Sequence, residues 1–231
     1  MKQVSKKKII IAVSLVVSLL AIISMSTLAW FTDEDSVTNE FLVADSNTQD
    51  DDIFSVNIYE QQDKDGDGVI DEQNGDIDNE ETGISYEGIL PGDEISKIAH
   101  VVNDGTYYDE YVRVIIDVSD AAVWKEMLND DIDNIIDCFG GYDATEWDHV
   151  TIEEDTTNDI IRIVMYHTDA LAPADDVIIF ETVNIPTALT VAQAVAMVDG
   201  FTVKVKAQAV QTANVGDSAY EAFQTVGLAI D

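Results

Sequence analysis

Residues 201–210, FTVKVKAQAV, alternate apolar and polar. Phe201, Val203, Val205, Ala207 and Ala209 fall on one side, Lys204, Lys206 and Gln208 on the other. A period of two matches an extended strand, whose successive side chains point to opposite faces, and it places no apolar stripe on a helix. The pattern predicts a half-buried strand with one wet face. Related runs recur along the chain. Residues 53–59 (IFSVNIY) set Phe54, Val56 and Ile58 against Ile53, Ser55, Asn57 and Tyr59. Residues 111–118, 160–166 and 177–180 are rich in Val and Ile. Turn signals separate them at Pro91-Gly92-Asp93, Asn103-Asp104-Gly105 and Gly140-Gly141. Short helices are expected at 121–128, behind a Ser119 or Asp120 cap, and at 191–198, behind Thr190. Many short strands and few helices predict a mainly β chain, an antiparallel β-sandwich with short helices on its connections.

Charge narrows the partners. The chain carries 46 acids and 11 bases, a formal charge of −35. Four of the bases lie in residues 1–29, which hold no acid; the remainder has 7 bases against 46 acids, or −39. Such a surface repels nucleic acid and anionic headgroups and favours divalent cations. A hydrophobic content of 46% is too high for a disordered acidic tail, and about 200 residues suffice for one core. A single cysteine, Cys138, rules out a disulfide within the chain and reads as a packed apolar residue.

The N-terminus has another character. Lys6, Lys7 and Lys8 precede an apolar run over 9–25, followed by Ser26-Thr27-Leu28-Ala29. A basic segment, an apolar segment and small residues at −3 and −1 predict a signal peptide over 1–29, with cleavage between Ala29 and Trp30. The alternative is an uncleaved anchor with Trp30 at the interface. Both export residues 30–231.

The sharpest chemical motif is DKDGDGVIDEQN over residues 63–74, within an acidic insertion at 61–83 expected to be a loop. Asp63, Asp65 and Asp67 hold positions 1, 3 and 5 of a calcium loop. Gly68 stands at 6, the carbonyl of Val69 at 7, apolar Ile70 at 8 and Asp71 at 9. Calcium takes six to eight hard oxygens, and this spacing gathers them. Position 12 is Asn74 rather than Glu, so the bidentate carboxylate is missing. Affinity should fall in the extracellular range of about 0.1–1 mM.

Three short stretches resemble the TasA/camelysin family of Gram-positive bacteria. LAWFTDEDSVTNEFLVA contains Ala29, Trp30, Phe31, Thr32, Asp33 and Phe41 in the places of that family's processing junction. Residues 88–116 resemble its PG-turn hairpin, and VKVKAQAVQTAN at 203–214 its late strand. The resemblance implies a jelly-roll-like sandwich, export through a SipW-type signal peptidase and self-association as a homopolymer. Fibres would form by donating an N-terminal strand, here Phe41, Leu42 and Val43, to the next subunit, in a biofilm matrix or on the cell surface with other matrix components. A monomeric, calcium-stabilised adhesion module is the alternative, with Tyr107, Tyr108 and Tyr111 as a contact patch. Camelysins are metallo-endopeptidases, but His100, His149 and His167 form no H-E-x-x-H motif. No G-x-S-x-G elbow and no P-loop occurs. No catalytic residue is therefore expected, and a camelysin-like metallo-endopeptidase is the least favoured of the three readings.

Overall fold

The computed structural model describes residues 38–40, 54–63, 65, 67–74, 91–187 and 201–230, with backbone alone at 38–40, 72 and 74. The expected signal peptide with Ala29 and Trp30, the donor residues Phe41, Leu42 and Val43, and the helix at 191–198 lie outside the described residues. Among the described residues no helix is long and apolar enough to cross a membrane.

Among the described residues ten strands form two sheets. They are β1 (Thr38–Glu40), β2 (Val56–Gln62), β3 (Glu72–Asn74), β4 (Glu94–Asn103), β5 (Glu110–Ser119), β6 (Phe139–Gly140), β7 (Trp147–Asp155), β8 (Ile160–His167), β9 (Asp176–Asn184) and β10 (Val203–Gln211). The first sheet runs β1-β10-β5-β8-β7 and the second β3-β2-β4-β9-β6. Each pairing is antiparallel except β1 on β10. The fold is the expected antiparallel β-sandwich with short helices on its connections.

The core lies between the sheets. Val203, Val205, Ala207 and Ala209 of β10 meet Val112, Val114, Ile116 and Val118 of β5, Ile161 and Ile163 of β8, and Val56 and Ile58 of β2. The alternation of β10 thus selects its inner face. Its outer face is wet only in part. Lys204 is exposed, whereas Gln208 and Val210 are buried. The cover is a helix that the strand and turn patterns did not predict, α2 (Ala219–Val226; α1 is Ala121–Met127). Phe223, Ala219 and Ala222 of α2 pack on Ile115, Val164, Tyr166 and Val210, making a second apolar layer outside the first sheet. A cap signal was present. Ser218 accepts from the Glu221 amide, Glu221 reaches back to the Asp217 amide, and Gly227 closes the helix at φ 68°.

Other departures have local causes. Asp120, one of the two expected caps, is the N-cap residue of α1, but its side chain makes no capping bond. It sits at φ 61°, and Asp159 of the β7–β8 turn receives the Ala121 and Ala122 amides. The acidic stretch 129–133 turns through Asn129 and Asp130 at positive φ into a 3₁₀ helix, Ile132–Cys138. Strand β7 carries acids and few apolar side chains and was not expected. It is the described edge of its sheet, where charged residues discourage pairing with foreign strands. Gly92 stands at φ 88°, as the second central residue of a type II turn requires, and its amide bonds the Ile185 carbonyl.

Candidate metal centre

Strand β2 extends beyond the 53–59 alternation because β4 pairs it as far as Gln61 and β3 as far as Gln62. The insertion expected as a loop over 61–83 therefore begins as a hairpin. Gln61 faces Gln73 and their side chains bond at 3.0 Å. The Asp71 amide closes the ends on the Gln62 carbonyl at 2.8 Å. Ser96 of β4 holds the other side, its hydroxyl accepting the Asp63 amide at 3.0 Å.

Within these ends the loop winds on its own carboxylates. Asp65 accepts from the Asp67 amide at 3.2 Å, Asp67 from Val69 at 2.8 Å, and Asp63 from Gly68 at 2.8 Å. The first two are Asx turns, which short acidic side chains make with amides two residues on; the third spans five residues and closes the loop. The Gly68 amide crosses to Asp63 because φ there is 84°, where a Cβ is strained. Asp63, Asp65 and Asp71 each offer one oxygen within 4.8 Å of the others. Like charges at that spacing repel by about 1 kcal/mol per pair in water, and a divalent cation between them reverses the sign.

The structure gathers three of the six expected ligands. Asp67 is outside that trio, its carboxylate turned to the Val69 amide. Val69 is exposed, and so is Ile70, so the apolar position 8 has no core to pack on. Asn74 lies in β3 opposite Glu60. Residues 63, 65 and 67–71 thus form a solvent-facing acidic turn at the end of a hairpin, with no helix on the β2 or β3 side of it. Among the described residues this trio is the one group of three or more His, Cys, Asp or Glu side chains close enough to share an ion, and no histidine belongs to it.

The histidines sit apart and are used in packing. His100 is buried on β4; its Nδ1 lies 3.0 Å from Asp176, and Tyr59 stacks on its ring at 4.4 Å. The Tyr59 hydroxyl donates to the same carboxylate, and burial with that bond raises its pKa. His149 stacks on Tyr220, and His167 meets Trp147 edge-on. Trp124 and Trp147 are buried packing anchors. Tyr107 is 73% exposed and Tyr108 is exposed beside it, but Tyr111 packs into the layer under α2. Burial pushes the Cys138 thiol up to about 11, so it is an inert apolar residue.

Two buried acids had no periodic signal. Glu60 points into the sandwich beside Val56 and Ile58, and Lys97 of β4 meets it at 2.8 Å; the pair is at most 1% exposed. Glu110 begins β5 fully buried, exchanging both backbone bonds with Leu171. Neither of its carboxylate oxygens meets a hydrogen-bond partner among the described residues, and burial, aided by Asp104, pushes its pKa up to about 9.

Comparison with protein-family models, with characterised proteins and with solved structures returned no match.

Proposed function

We propose that this chain is an exported structural protein of the extracellular matrix or cell surface that joins copies of itself by strand donation. The observation that carries the reading is β1. This short segment, just before Phe41, Leu42 and Val43, lies parallel on the β10 edge, with Thr38, Asn39 and Glu40 opposite Lys206, Ala207 and Gln208. Three residues of ladder contribute about 0.5–1.5 kcal/mol per net bond, a small barrier to exchange with a neighbour's segment. An edge that accepts a strand from its own chain has the shape to accept one from another. Release by a SipW-type signal peptidase between Ala29 and Trp30 would free the donor; without cleavage the protein stays anchored. At −39 the subunits repel, and calcium at Asp63, Asp65 and Asp71 would lower that charge.

The test is the size of purified 30–231, by light scattering and negative-stain microscopy, with calcium and with chelator. Fibres or large oligomers, lost when residues 30–44 are deleted, are expected. A monomer under every condition refutes assembly. It would favour the second reading, a calcium-stabilised binding module, which the exposed Tyr107 and Tyr108 support.

A further inference from the structure

One end of the sandwich gathers acids without bases. It is made of the β4–β5 loop (residues 104–109), the β8–β9 loop (168–175) and the start of the β10–α2 connection, and hydrogen bonds tie the three together. The Asn103 side chain donates to the carbonyls of Tyr108 and Leu171, both at 2.9 Å, and the Asn103 carbonyl accepts the Ala174 amide at 2.8 Å. The Thr212 amide donates to the Asp109 carbonyl at 3.3 Å. Residues 103–110, 168–176 and 211–218 hold seven acids and neither lysine nor arginine. Arg113, the next base along β5, is buried, with its guanidinium bound to Gln208 and to the carbonyls of Leu228 and Ala229.

Three features of this end gain nothing from the fold itself. Tyr107 and Tyr108 stand side by side in solvent, so their rings contribute no burial. Ala174 holds φ 68°, a left-handed conformation that is strained for a residue with a Cβ. Glu110, at the base of the β4–β5 loop, is fully buried with neither oxygen met by a donor among the described residues, and it lies near enough to Asp104 to feel that charge. What this end lacks is positive charge that carries N–H donors. An arginine supplies both: its planar guanidinium stacks on a tyrosine face and keeps its N–H groups at the rim for carboxylates. We propose that this end of the sandwich docks a basic, arginine-bearing peptide segment of a partner protein, with Tyr107 and Tyr108 as the stacking faces and Asp109 and Asp169 as counter-charges. A neutral or anionic partner would cover these acids without pairing them, at a cost in desolvation. The inference rests on the binding-module reading, whose partner chemistry it names, and does not involve strand donation at β10.

The experiment is fluorescence anisotropy of a labelled octapeptide alternating arginine and glycine, titrated with the full chain in micelles of a neutral detergent. Salt is held at about 0.15 M, where a screening length of about 8 Å mutes distant acids. Y107A/Y108A should weaken binding about tenfold, the scale of two exposed ring–cation contacts. D109N/D169N should weaken it about twofold to tenfold, the scale of two exposed ion pairs. E126Q/D133N removes the same charge beyond the other end of β5 and should change affinity by less than about twofold. Y107F/Y108F should bind like the wild type, whereas Y107L/Y108L, which keeps apolar bulk without the rings, should fall like the alanine variant. Unchanged affinity in the alanine variant, retained affinity in the leucine variant, or an equal loss in E126Q/D133N overturns the site. Light scattering on the same samples tests the binding-module reading separately. A monomer that fails to bind the peptide overturns the basic partner alone, and a polymer that binds it keeps the site while removing that reading.

Discussion

Replacing Glu110 by Gln should make the protein more stable at neutral pH. Glu110 is fully buried, and neither carboxylate oxygen meets a described donor. Its pKa rises from 4.5 to about 9, first through desolvation and then through Asp104. Between those two values the folded chain holds a proton that the unfolded chain has released. Stability must then fall as pH rises across that window, by about 1.4 kcal/mol per unit. The contribution is fully present below about pH 4.5 and is lost by about pH 9. At pH 7 the side chain costs about 3 kcal/mol relative to its value in acid. Gln is nearly the same shape and carries no proton to hold. Its amide still lacks partners, which offsets about 1 kcal/mol or more of the gain. Glu110→Gln should therefore add roughly 1–2 kcal/mol at pH 7 and flatten the pH dependence relative to wild type. Urea unfolding of both proteins at several pH values between 5 and 8.5 measures this, since the difference between the curves removes the other acids. An equal slope in the two proteins, or a loss of stability at pH 7, would refute the reasoning. It would mean that Glu110 is ionised and paired in the folded state.

Lys97→Met should destabilise by about 3–5 kcal/mol, because it leaves the Glu60 carboxylate buried without its cation at 2.8 Å. The double variant with Glu60→Met should recover most of that in the same urea assay; no recovery would show that the pair is not the cause. Asp63→Asn removes one of three gathered carboxylates and the acceptor of the Gly68 amide. Calorimetric titration with calcium should show affinity weakened by about tenfold or more from a wild-type value near 0.1–1 mM; equal binding would place the ion elsewhere.

Period-two alternation and turn residues were enough to give a sandwich, because each strand must show one face to a core whatever its neighbours are. The 201–210 alternation marked its buried side correctly for that reason, and the Asp63, Asp65 and Asp71 cluster was legible because its ligands sit close in sequence on a turn that Gly68 makes possible. Sheet order, the parallel seat of β1 and the covering of the first sheet by α2 depend on partners far along the chain, and no local pattern encodes them. The same holds for buried charge. Glu60 and Lys97 look like ordinary surface residues of an acidic protein until β2 and β4 lie side by side and both point inward, and Glu110 becomes an isolated acid only when the bridge to Leu171 closes over it. Local chemistry decides what a short segment can be; desolvation and pairing are properties of the assembled interior, and only the tertiary structure decides them.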